Sequence, residues 1–127
     1  DDPEEINDLS KKGSQIGDYT LKDVISGPIG NLPEDSLAVH LGNLDMMDKL
    51  DKEDICRSIV LLVATNVARL AATTALAAKL NKIVVIGRSP DYFLYKETLS
   101  KWIEYSGLEV IFPEKREFAT ALGTLEN

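Results

Sequence analysis

The residues of this chain best placed for chemistry form one short run, Gly87-Arg88-Ser89-Pro90-Asp91, directly after the apolar stretch KIVVI. A glycine there lets backbone pass close to a ligand, a serine can cap the next helix, and a proline suits that helix's first turn. Open α/β folds bind their ligands at this kind of place, at the carboxyl ends of strands. Helix starts attract anions. Asp91 in the same turn would repel a phosphate, so the run favours a neutral ligand part, a ribose or an adenine, with Arg88 stacking or hydrogen bonding. The plainer alternative is an ordinary strand-to-helix turn.

Other reactive side chains carry less. His40 is the single histidine and has no Ser or Cys elbow beside it, so it reads as a surface or satisfied core residue rather than a base. Cys56 lies in the first turn of a long helix, where its pKa could fall, but Glu53 and Asp54 oppose that, and a buried, inert thiol is expected. Thr65 and Asn66 could contact a ligand or hydrogen-bond to a neighbouring helix. Trp102 and Tyr105 are close in sequence and should cover the core face of their own helix. The sequence holds no Walker loop, zinc-ligand spacing or nucleophile elbow.

The element that must position Gly87 is the long apolar stretch before it. Asp51 is a plausible N-cap and Asp54 completes a capping-box pattern, with acidic residues matched to the helix dipole. The helix would run about 30 residues, on the order of 45 Å. Ile55, Ile59, Leu62, Val63, Val67 and Leu70 make one stripe, and Ala64, Ala68, Ala71, Ala72, Ala75 and Ala78 make a small-residue face that permits close approach of another element. Ile83–Ile86 then reads as a strand covered on both faces. A helix over Asp91–Tyr105 and a strand over Glu109–Phe112 complete a parallel crossover, and Pro113 ends the second strand. A last helix near Glu117–Leu125 groups Phe118, Ala121, Leu122 and Leu125.

Upstream, Pro3–Ser10 reads as a short amphipathic helix, and Thr20–Pro33 as an ordered loop punctuated by Gly27, Pro28, Gly30 and Pro33. Glu34–Gly42 is expected to form a short helix and Asn43–Lys49 a connector. Residues 1–50 are thus a loop and short-helix segment, and 51–127 hold the long helix and strand-helix-strand-helix. Two strands are too few for a doubly wound sheet, so the remaining strands belong elsewhere in the polypeptide.

The 127 residues are 44% hydrophobic and 28% charged, with a net charge of −7, which fits one soluble globular domain. Excess acid and scattered Lys and Arg argue against a nucleic-acid partner. A lone cysteine excludes an internal disulfide and points to the cytoplasm. The stretch Ile59–Leu80 approaches membrane-spanning length, but Thr65, Asn66, Arg69, Thr73, Thr74 and Lys79 interrupt it, so a soluble helix is expected. No signal peptide is visible. The first residue is Asp, which reads as a fragment or an unseen start.

The order of the blocks TLKDVISG, a Gly-Asn-Leu-Pro turn, SLAVHLGN, LDKEDICRSIVLLVATNVARLAA, KIVVIGRS and EVIFPEKREFATALGTL, after the leading DDPEEINDLSKKG, resembles the C-terminal half of type II pantothenate kinases. Those enzymes belong to the actin-like superfamily of sugar kinases and ATPases. The resemblance covers nearly the whole chain and rests on block order more than on one motif. It implies an α/β, ribonuclease H-like subdomain, helix-rich with a short parallel strand pair. It also implies a nucleotide-binding role for Gly87, Arg88 and Ser89, with the glycine beside the adenosine, and a place for Leu37 and Ala38 near the substrate channel and a homodimer contact. ATP and Mg²⁺ would be the cofactors of the complete enzyme and pantothenate its substrate. The family's phosphate loop, catalytic acidic residue and pantothenate-binding arginine precede the matched blocks, so no catalytic residue is expected in this chain, and the N-terminal half is its implied partner. Arg88 stands where eukaryotic relatives have Asn, and the loop at Gly27–Asn31 is shorter than theirs. The alternatives are a non-catalytic regulatory or interaction module of the same fold, or another sugar-kinase-like ATPase. An Asp-x-Gly-Gly-Thr-type loop upstream would discriminate in favour of the kinase.

Overall fold

The fold is that of a computed structural model, which describes residues 2–125 apart from 26 and 28. It is α/β and helix-rich with two separate two-stranded sheets, and the backbone divides into two compact units, residues 1–64 and 65–127.

In the first unit, helix α1 spans Pro3–Lys12. Asp2 accepts the Glu4 N–H at 3.0 Å, Pro3 sits in the first turn, and Lys11 and Lys12 close the negative end of the dipole. Strand β1 (Tyr19–Thr20) pairs antiparallel with β2 (Leu37–Val39). The short helix expected over Glu34–Gly42 is therefore corrected to a strand. Leu37 and Val39 alternate about Ala38 with strand period, and the Leu21 and Lys22 N–H groups bond the Ser36 and Glu34 carbonyls of the turn that leads into the strand. Within the expected loop, Thr20 starts a one-turn helix α2 (Leu21–Val24), its N–H and hydroxyl donating to Asp23 at 2.8 and 2.6 Å. Pro28, one of the loop's punctuating residues, lies outside the described residues. The connector after β2 winds a 3-10 helix at Leu44–Lys49.

Helix α3 (Lys52–Ala77) starts as its sequence predicts: Asp51 accepts the Asp54 N–H at 2.9 Å, and Asp54 receives the Asp51 N–H at 3.4 Å. It runs 26 residues, shorter than expected, because Lys79 turns into the left-handed region (φ 57°) and the Leu80 N–H closes on the Ala75 carbonyl at 2.8 Å. Its first turns bind the N-terminal segment. Ser14 donates its N–H and hydroxyl to Asp54 Oδ1 (2.6 and 2.8 Å), and Ser58 donates to Asp18 Oδ1 (2.7 Å).

The buried face of α3 is drawn mainly from the small-residue stripe. Ala64, Ala68, Ala72 and Ala75 are buried, as is Leu61, while Ile55, Ile59, Leu62, Val63, Val67 and Leu70 are all exposed, Leu70 at 71%. Among the described residues α3 alone is long and apolar enough to cross a membrane. In its first turns Asp54 and Ser58 are buried and hydrogen-bonded to other segments.

In the second unit, β3 (Lys82–Val84) and β4 (Glu109–Ile111) pair in parallel, with Lys82 opposite Glu109, Ile83 opposite Val110 and Val84 opposite Ile111. An ion pair between Lys82 and Glu109 (2.9 Å) marks the start of the register. Helix α4 connecting them covers Phe93–Tyr105, starting later than expected, because Ser89–Asp91 wind a separate 3-10 turn and Tyr92 is extended. Its buried face is Leu94, Tyr95, Leu99 and Ile103. Trp102 and Tyr105 are only half-buried and meet edge to face at 6.5 Å, with the Arg69 guanidinium 5.6 Å from the Trp102 ring centre. The expectation that β3 is covered on both faces is also corrected: Val84 and Ile86 are 57% and 53% exposed. Helix α5 (Ala119–Leu125), preceded by a 3-10 turn at Arg116–Phe118, buries none of its residues.

Candidate functional site

Two parallel neighbouring strands release the chain at the same edge of their sheet. Gly87 lies three residues after β3 and the segment 114–118 starts three residues after β4, so the two meet beyond the strands' carboxyl ends. The ladder is extended by the Val85 N–H to the Ile111 carbonyl (2.9 Å) and then by the Gly87 N–H to the Arg116 carbonyl (2.9 Å). Gly87 has φ 91°, a conformation that side chains resist, and the side where a Cβ would project is open.

Between the two segments lies an open cleft of about 560 Å³. Arg88 and Asp91 line one side, and residues 114–118 the other. Asp91 is held from both: Arg116 Nη2 forms a close ion pair with Oδ1, and Arg88 Nε lies 3.8 Å from Oδ2. Its charge is thereby engaged, which softens the repulsion of phosphate expected from the sequence. No surplus of cation replaces it, since Arg88, Lys115 and Arg116 are matched by Asp91, Glu114 and Glu117. Such a surface attracts a neutral group better than a polyphosphate. Ser89, expected to cap α4, begins the 3-10 turn instead, so the α4 N-terminus is not presented to this cleft as the capping argument required.

Residues 114–118 escape the sequence reading, although a signal for them exists. A parallel crossover ending at Pro113 obliges the next residues, Glu-Lys-Arg-Glu-Phe, to emerge beside those after the first strand. Lys115, in the left-handed region at φ 55°, turns the chain into the 3-10 turn that carries Phe118.

The other candidates lie apart from the cleft or lack reactive geometry. Leu37 and Ala38 are on β2 in the first unit, Leu37 half-buried and Ala38 exposed. His40 is neither a free surface residue nor a satisfied core one: both ring nitrogens are buried without a partner, and burial pushes its pKa down against the opposing pull of Asp18. Cys56 donates to the Ile6 carbonyl at 3.4 Å, and burial, reinforced by Glu5 and Glu53, raises its thiol pKa, the opposite of activation. Thr65 Oγ1 is buried with no hydrogen-bond partner, so it makes no helix-to-helix bond, and Asn66 is exposed. Among the described residues no three His, Cys, Asp or Glu side chains group as metal ligands.

No family model matches this chain.

Proposed function

We propose that this chain is the adenosine-binding half of an ATP-dependent pantothenate kinase, a cytoplasmic enzyme of coenzyme A biosynthesis, built as the ribonuclease H-like subdomain of an actin-like ATPase. The observation that carries the reading is the Gly87 turn: positive φ, open on its free side, and tied to Arg116 at the carboxyl ends of a parallel pair. The order of sequence blocks supplies the family. The charge-balanced lining supports the assignment of the neutral nucleoside end to this half and of the phosphates to another.

Phosphoryl transfer depends on positioning and on stabilising the charge of the transferring group. Here the chain's residues bind and orient the nucleoside, with Gly87 admitting the ligand to the backbone and Arg88 over the base. The general base and phosphate cradle implied by the resemblance lie outside residues 1–127, so these residues alone bind nucleoside without phosphorylating pantothenate. Mg²⁺ requires clustered oxygen ligands, and the described residues do not fit such a site. The same reading pairs two copies through the segment carrying Leu37 and Ala38.

Calorimetric titration of adenosine into this chain and into Gly87→Leu tests the reading. The leucine would occupy the open side of the turn, so binding to wild type and a loss of about tenfold or more in the variant are expected. Equal affinity would contradict the assignment. A second reading, a non-catalytic interaction module, is favoured by the exposed apolar stripe of α3. Stable capture of a protein partner without any nucleoside binding would support it instead.

A further inference from the structure

We propose that Phe118 is the residue by which this cleft selects a purine base, one face of the base stacking on the phenyl ring and the other meeting the Arg88 guanidinium. The proposal rests on the nucleoside-binding reading and adds the side chain that discriminates the base.

Two ties fix the walls of the cleft relative to each other. The Gly87 N–H bonds the Arg116 carbonyl at 2.9 Å, and the Arg116 side chain crosses to Asp91. Arg88 comes directly after the first tie and Phe118 shortly after Arg116, so the distance between these walls does not depend on a free loop. That is preorganisation, which lowers the entropic cost of binding a flat ligand.

Phe118 is the aromatic residue of a lining otherwise made of charged side chains, and it is 57% exposed. An exposed phenyl face among ions is a poor surface for water and a good one for a polarisable planar ring. Arg88 shares this lining with its side chain 79% exposed, and its planar guanidinium can stack on a base while Nε keeps its distant pairing with Asp91. Because the cations and carboxylates of the lining cancel, stacking is left as the main attraction. The larger π-surface of a purine then binds better than a pyrimidine. Glu114 and Glu117 add acceptors for the amino group at the base edge.

The test is a ¹⁵N-edited NMR titration of the full chain with adenosine, uridine and ribose 5-phosphate, on wild type, Phe118→Ala and Phe118→Tyr. Wild type should bind adenosine more tightly than uridine, with shifts at the Gly87 and Arg88 amides. Phe118→Ala should weaken adenosine about tenfold or more, and Phe118→Tyr should restore it. Ribose 5-phosphate should respond to neither change. Phe118 is exposed, and an unchanged amide spectrum away from residues 114–118 verifies that the variants fold. Adenosine binding that survives Phe118→Ala undiminished overturns the stack yet leaves the nucleoside reading standing. Equal affinity for uridine and adenosine overturns the purine preference. Absence of any adenosine-induced shift in wild type overturns both readings.

Discussion

The Asp54 carboxylate serves two segments at once. It completes the reciprocal cap with Asp51 that starts α3, and it accepts both the N–H and the hydroxyl of Ser14. Those donors hold its pKa below the usual carboxylate value, so its contribution to stability is present above the unfolded pKa and is lost as pH falls through the lowered one. Asp54→Ala leaves the Ser14 N–H and the start of α3 without their acceptor, and a fall in Tm of about 5 °C is expected by calorimetry. His40 has the same sign for a different reason. Burial depresses its pKa, so the unfolded chain binds the extra proton first, and stability declines as pH drops below about 6.5. Urea unfolding of wild type from neutral pH to about one unit below that value should show the decline, and His40→Asn should flatten it. A slope unchanged by the substitution would assign the proton to another group. Gly13, by contrast, is required by space rather than conformation: its φ of −64° suits any residue, but a Cβ would overlap the Glu53 carbonyl.

Among the elements, α3 shows which parts of the sequence are legible. Its start follows from Asp51 and Asp54, because capping is decided within a few residues. Its buried face does not. Periodicity locates two stripes, one of large apolar residues and one of alanines, and hydrophobicity alone favours the large one. The alanine stripe is the one the assembled unit buries, a choice that the helix sequence does not encode by itself. The segment Glu34–Gly42 misleads for a related reason. A three-residue strand such as β2 is defined by its partner Tyr19–Thr20, distant in sequence, rather than by local propensity. The face assignment of α3 is open to direct test. Ala68→Leu overpacks a fully buried position and should destabilise by about 1–3 kcal/mol, whereas Leu70→Gln on the exposed stripe should change stability by no more than about 0.5 kcal/mol, both by chemical denaturation.

For the molecule as a whole, the strand-helix-strand order and its parallel pairing are readable from sequence, and with them the turn at Gly87. Half of the cleft is readable in the same way. The other half, residues 114–118, becomes visible only when the parallel pair brings it beside Gly87, and with it come Phe118 and the Arg116 contact that engages Asp91. The exposed Val84 and Ile86 leave one face of the parallel pair uncovered among the described residues, where parallel sheets are ordinarily covered on both faces. The claim on which the functional account depends is that the nucleoside end of a nucleotide lies between these two segments. Photolabelling of the chain with an azido derivative of adenosine, mapped by peptide with and without excess adenosine, tests it most directly. The account predicts label within residues 87–91 or 114–118, abolished by competition. Label confined to other peptides, or undiminished by adenosine, would contradict it.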